Sequence, residues 1–127
     1  MNVVRMLTQS PLAAAMIVNL PEVIHEMTGR VQLEALEAGD DPVLKALLRD
    51  LQDAGGRHPH RVLGSVRRPL APLILNAPGQ PLQFLSTIAH FGTSEDVTVR
   101  DLRLELLFPA NDHTRNAMIA LARLDDL

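Results

Sequence analysis

Four side chains in the second half of the sequence have the types that nucleophilic catalysis requires. Ser86 and Thr87 offer hydroxyl groups, His90 offers a general base, and Asp96 offers a carboxylate that would orient this base. The serine lacks the flanking glycines of the strained strand-to-helix turn that exposes such a nucleophile. Ser, Thr and His in a half-buried strand more often bond to neighbours in the sheet. The pattern therefore favours a protein that is not an enzyme.

A basic stretch occupies the middle of the chain. No acidic residue lies between Asp53 and Glu95, and the arginines there are Arg57, Arg61, Arg67 and Arg68. Guanidinium groups bind carboxylate or phosphate with two parallel hydrogen bonds, which is one interpretation. The other, which we favour, is a solvated loop that complements the acidic flanks. The segment His58-Pro59-His60 has no nearby thiol or carboxylate, so neither a metal nor another cofactor is predicted.

Composition excludes several classes of protein. The chain has 127 residues, enough for one domain, and 46% of them are hydrophobic, so it is not disordered. Its net charge is 12 − 15 = −3, and it has no Trp or Tyr on which bases would stack, so the chain itself is not expected to bind nucleic acid. The absence of cysteine agrees with a reducing cytoplasm, and no apolar run reaches the roughly 20 residues that span a bilayer.

Residues 1–55 carry three helix patterns. Ser10-Pro11 is a helix start before the run LAAAMIV. Asn19 and Glu22 have the spacing of a capping box. The helix that follows has apolar residues three and four apart: Leu20, Val23, Ile24, Met27 and Val31. Asp41-Pro42 starts the third helix, which Gly55-Gly56 is expected to end.

Residues 69–110 carry strand patterns instead. The run 70–76 is short and apolar, and Pro72 within it indicates an edge or the start of a strand. Pro78-Gly79 predicts a turn with a positive φ angle at the glycine. Residues 82–89 and 102–108 alternate in character, and in the second run Leu102, Leu104, Leu106 and Phe108 predict a strand buried on one face. A short helix is expected over 112–124. Helices followed by an antiparallel sheet indicate an α+β fold in a single domain, residues 1–127.

Several segments together resemble one known family. The sharpest is LQFLSTIAHFGTSEDVTVRDLRLELLFP, from Leu82 to Pro109. Within it the matching residues are Phe84 to Ala89, Phe91-Gly92-Thr93, Asp96-Val97-Thr98, Leu102 to Glu105 and Phe108-Pro109-Ala110. The block Asn2 to Leu7, with Asn19 and Glu22-Val23, is similar to the helical part of the same domain. The resemblance is to the ligand-binding domain of MmyB-like transcription regulators.

The resemblance implies a PAS-like fold, in which an antiparallel sheet packs against several helices and a pocket lies between them. It also implies binding of a fatty acid or a similar amphiphile, which suits the aliphatic composition because apolar burial is not directional. Four methionines, Met6, Met16, Met27 and Met118, would make such a pocket tolerant of chain length. Arg103 or Arg68 would bind the carboxylate head group of the ligand. The expected ligand-binding residues are Met27, Phe84, Ser86, Ile88, Phe91, Arg103, Leu104 and Phe108.

The chain also departs from the family pattern. In the family a helix-turn-helix module that contacts DNA precedes the sensor, and this chain shows neither that module nor the leading strands of the sheet. DNA contact is therefore expected only through a domain absent from this chain. A sheet without those strands exposes an edge, which predicts a homodimer. Two hypotheses follow: a cytoplasmic effector sensor of a transcription regulator, or a ligandless dimerisation or protein-interaction module derived from one.

Overall fold

The computed structural model describes residues 3–59, 71–90 and 103–124. In these ranges the chain forms α1 (Val3–Gln9), α2 (Pro11–Met16), α3 (Leu20–Ala38), α4 (Pro42–Arg57), β1 (Leu73–Leu75), β2 (Leu82–His90), β3 (Arg103–Pro109) and α5 (Asp112–Leu124). The three strands form one antiparallel sheet in the order β1-β2-β3. The predicted α+β class and the antiparallel pairing are therefore confirmed.

Local capping fixes two of the helix starts. The Ser10 side chain accepts a hydrogen bond from the Leu12 N–H at 3.2 Å, and the Asp41 carboxylate accepts one from the Val43 N–H at 2.8 Å. Both predicted starts are confirmed. Helix α4 continues through Gly55-Gly56 to Arg57, beyond its predicted end. Because Leu51 and Ala54 are fully buried at this end of α4, packing outweighs the low helix propensity of the two glycines.

Asn19 has a different role from the predicted one. Its side chain donates to a Glu22 carboxylate oxygen at 3.2 Å but does not cap the backbone of α3, so the predicted capping box is wrong. Instead, its amide nitrogen donates to the Pro72 carbonyl at 2.6 Å, and its amide oxygen accepts from the Ile74 N–H at 3.0 Å. Val18 N–H donates to the Ile74 carbonyl at 2.8 Å, which extends the same seam. The segment before α3 therefore covers the outer edge of β1.

We expect Asn19→Ala to lower the free energy of unfolding by about 2 kcal/mol, since each lost hydrogen bond contributes roughly 1 kcal/mol and the partners lie at a covered edge. Urea denaturation of the variant measures this loss. Asn116→Ala is the matched control, because Asn116 is exposed on α5 and its replacement should change stability by less than about 0.5 kcal/mol. Equal losses in both variants would mean that the Asn19 contacts add nothing to stability.

The core lies among the helices and reaches β1. Ile24 of α3 and Leu51 of α4 are 1% and 0% exposed, and α4 packs against both α3 and α1. Ile17, which follows α2, is buried and bridges to Leu75 of β1. The helical layer and the sheet are thereby held together on the β1 side.

Helix α5 packs against one end of the β2–β3 pair. Thr114 of α5 is fully buried, and its hydroxyl accepts a hydrogen bond from the Gln83 N–H at 2.9 Å. The Asn111 side chain accepts from the Thr114 N–H at 2.8 Å, which caps the start of α5. The turn between β1 and β2 has Gly79 at φ 84°, as the sequence predicts.

Candidate ligand-binding cavity

A cavity of about 350 Å³ lies between the helical layer and the sheet. Its walls come from α1, α2, α3 and one face of the sheet, and this volume falls within the roughly 300–1,000 Å³ of known ligand pockets. The described lining residues are Val3, Met6, Leu7, Ser10, Leu12, Ala13, Met16, Ile17, Val23, Glu26, Met27, Arg30, Ala71, Leu73, Leu75, Ser86, Glu105 and Leu107. Thirteen of these eighteen side chains are aliphatic or methionine, so the cavity is suited to an aliphatic chain.

Three methionines contribute to the wall, one from each of the first three helices. They are Met6, Met16 and Met27. Thioether side chains are flexible and polarisable, so they repack around ligands of different length. Met118 of α5 is not among the lining residues.

Two polar pairs interrupt the apolar lining. On α3, the Arg30 guanidinium lies 2.9 Å from a Glu26 carboxylate oxygen, and the other Glu26 oxygen accepts from the Ala71 N–H at 2.9 Å. Across the cavity, the Ser86 hydroxyl donates a hydrogen bond to the Glu105 carboxylate. The cavity therefore offers one arginine and two carboxylates among its described residues.

The polar pairs lie at one end of the sheet. Phe84 pairs with Leu73, and Ser86 lies two residues further along β2, while Ala71 lies two residues before Leu73. The antiparallel register therefore places Ala71, which contacts Glu26, at the same end of the sheet as Ser86. Leu75 lies at the opposite end, where it pairs with Leu82. The cavity thus runs from a polar end to an aliphatic end.

Three charged lining residues were not predicted from the sequence: Glu26, Arg30 and Glu105. A signal for the first two was present, because Val23, Glu26, Met27 and Arg30 follow each other at intervals of three, one and three and so form one stripe of α3. A charged residue next to an apolar stripe is usually predicted to lie at the solvent-exposed margin of the helix. A charged residue at the rim of a cavity gives the same pattern, so the sequence does not distinguish the two.

The predicted ligand-binding residues that the structure describes lie on α3 and on both faces of the sheet. Met27 and Ser86 line the cavity. Phe84, Ile88 and Arg103 belong to the cavity face, since the register pairs them with Pro109, Glu105 and His90, but none is a lining residue. Phe84 is buried and Ile88 is exposed. Leu104 and Phe108 belong to the opposite face, and Phe91 lies outside the described residues.

Strand β3 is exposed along its whole length, so the predicted burial of one of its faces is wrong. The register with β2 explains why the face that was predicted to be buried is not covered by the helices. Ser86 pairs with Leu107, and side chains alternate along a strand, so the odd-numbered residues face the cavity. The even-numbered leucines and Phe108, which the alternation favoured for burial, face away from the helices.

The structure describes only some of the residues named in the catalytic and basic-stretch hypotheses. Ser86 is bonded to Glu105, while Asp96 and the side chain of His90 lie outside the described residues. Of the basic stretch, Arg57 is described, and its guanidinium donates to the Thr8 carbonyl at 3.0 Å. Arg61, Arg67, Arg68 and His60 fall outside the described ranges. Among the residues that are described, no group of three His, Cys, Asp or Glu is placed to hold a metal ion.

Comparison with known families identifies the domain. Residues 1–121 match the family model of the MmyB-like transcription regulator ligand-binding domain, whereas curated proteins and solved structures give no significant match. In the described ranges no helix has the length and apolar character needed to cross a membrane. Because the family match covers nearly the whole sequence, the chain belongs to the MmyB-like transcription regulator ligand-binding domains.

Proposed function

We propose that this domain is the effector sensor of a transcription regulator and binds a fatty acid or a similar aliphatic amphiphile. The observation that carries the proposal is the cavity, with its aliphatic walls and its charged side chains gathered at one end. Each buried methylene contributes about 0.8 kcal/mol, so an acyl chain of ordinary length supplies enough energy for micromolar affinity. No catalytic step belongs to this function.

The cavity also suggests how binding reaches the rest of a regulator. Its walls come from α1 to α3 on one side and from all three strands on the other, so a ligand contacts both layers at once. A ligand that prefers one spacing of the layers shifts the domain toward that arrangement. As part of the same proposal, the domain acts in the cytoplasm and affects DNA through a helix-turn-helix domain.

Fatty acids and alcohols with alkyl chains of rising length are expected to raise the melting temperature progressively until the cavity is filled. A ligand that binds only the native state stabilises it by about 2.7 kcal/mol at a hundredfold excess over its Kd. Thermal unfolding with linear C6 to C16 fatty acids and alcohols, each below its critical micelle concentration, measures the effect. Short diols of similar solubility serve as the control. If no chain of either kind shifts the transition, the sensor function is contradicted.

Self-association is a second function, and a specific feature of β3 favours it. The described sheet ends at β3, every residue of this strand is exposed, and Leu104, Leu106 and Phe108 form an apolar strip on the face away from the cavity. An exposed strand edge readily pairs with another chain. Edge pairing of two β3 strands would satisfy the edge amides, and two copies that pack strip against strip would cover this apolar surface. Sedimentation equilibrium at micromolar concentration tests this, and a monomer throughout would exclude it.

A further inference from the structure

The two ends of the cavity differ in how they are bounded. Charged side chains of α3 and β3 lie at one end, and the lining at the other end is aliphatic. We infer that the aliphatic end is closed and that Ala13 and Leu75 set the longest alkyl chain that the site accepts. This inference rests on the proposed sensor function and specifies the ligand of the same cavity.

A backbone seam between the end of α2 and β1 closes the aliphatic end. Ile17 forms a bridge with Leu75, and the Asn76 N–H donates to the Met16 carbonyl at 2.7 Å. The hydrogen bond from the Val18 N–H to β1 lies on the other side of this bridge. Two backbone segments at hydrogen-bonding distance leave no gap through which an alkyl chain can pass. The seam therefore forms an end wall.

The side chains at this wall are closely packed. Ala13 and Ile17 are 6% and 8% exposed and lie one helical turn apart, since the Ile17 N–H donates to the Ala13 carbonyl at 2.9 Å. Leu75 packs against the same core from the sheet, and all three residues line the cavity. Because Ala13 carries only a methyl group, a larger residue there would occupy the space next to the wall. A smaller residue in place of Leu75 would extend that space.

An end wall selects ligands by length. Each further methylene that is buried should tighten binding about fourfold until the alkyl chain reaches the wall. A longer chain must then bend or draw its head group out of position, because a closely packed interior yields little to additional volume. Affinity should therefore rise with chain length to a limit and then stop rising.

Two substitutions should move this limit in opposite directions. Ala13→Leu should shorten the longest accepted chain by about three methylenes, and Leu75→Ala should lengthen it by about three, since leucine has that many more carbon atoms than alanine. Ala14→Leu and Leu36→Ala are the matched controls, because they make the same changes at exposed positions that are not among the described lining residues. Calorimetry on the full chain at pH 7 measures the dissociation constants of linear C6 to C18 fatty acids, each below its critical micelle concentration.

A second measurement uses the unmodified chain, so it does not depend on the folding of a variant. The ω-hydroxy derivative of the tightest-binding acid carries a hydroxyl group to the aliphatic end, where the backbone groups of the seam are already paired. A hydroxyl group buried without a hydrogen-bond partner is costly, so the derivative should bind at least tenfold more weakly than the parent acid. The added group is uncharged, so long-range repulsion does not contribute to this difference.

The outcomes distinguish the end wall from the sensor function. If the acids bind but both cavity variants keep the length limit of the unmodified chain, the role of Ala13 and Leu75 is overturned. Equal affinity of the parent acid and its ω-hydroxy derivative would show that the cavity opens to solvent beside Met16, which is 44% exposed, and would overturn the closed end. Should Ala13→Leu fail to fold, Leu75→Ala and the ω-hydroxy derivative decide the question. If no acid binds, the sensor function itself is contradicted.

Discussion

Replacing Leu51 with alanine should lower the free energy of unfolding by about 3 kcal/mol, because a buried leucine loses both its apolar contacts and the volume that it fills. Leu51 is 0% exposed and lies in the helical core, where α4 packs against α3 and α1. Domains of this size have total stabilities of only about 5–15 kcal/mol, so this loss is a large part of the whole. Urea denaturation measures it.

Leu36→Ala is the matched control for this prediction. Leu36 is 82% exposed near the end of α3, so the same chemical change there removes little buried surface. The difference between the two variants isolates the effect of burial at the α3–α4 contact. Since Leu51 does not line the cavity, decanol should still stabilise Leu51→Ala by the same increment as the unmodified chain. A loss below about 1 kcal/mol would show that the helical core is loosely packed around Leu51.

Helix starts were predictable because their causes are local. Ser10 and Asp41 each bond to a backbone N–H two residues away, and a proline follows each of them. Such an interaction is complete within one turn of chain, so the sequence contains all of it. Asn19 shows the limit of the same argument. Its spacing from Glu22 fits a capping box, but its main partners are Pro72 and Ile74, 53 and 55 residues away.

The face of β3 could not be predicted for a related reason. Alternation divides a strand into two faces, but it does not say which face the rest of the molecule covers. The larger number of apolar residues predicted burial of the face that carries Leu104, Leu106 and Phe108. The structure turns Glu105 and Leu107 toward the cavity, because the pairing with β2 places them on the face of Ser86. A mixed polar and apolar face agrees with the amphiphilic ligand that we propose.

The two faces of β3 allow ligand binding and self-association to be separated by neighbouring substitutions. Leu107 lines the cavity and is 50% exposed, whereas Leu106 belongs to the outer strip and is 39% exposed. Aspartate is too short to move its charge away from an apolar wall, so it disfavours burial on whichever face it occupies. Both replacements also lower strand propensity to the same extent, which makes each the control of the other.

Leu107→Asp is expected to weaken decanol binding at least tenfold, or about 1.4 kcal/mol, while changing the self-association constant by less than threefold. Leu106→Asp should do the reverse. Calorimetry with decanol, which is uncharged and so insensitive to the added charge at long range, measures the first property; sedimentation equilibrium measures the second. If both variants lose both properties equally, the cavity and the outer strip are one coupled surface, and ligand binding and self-association cannot be assigned to opposite faces of the strand. If each variant loses only its own property, ligand binding and self-association belong to opposite faces of β3, and a ligand in the cavity and a second copy on the outer strip can occupy the strand together.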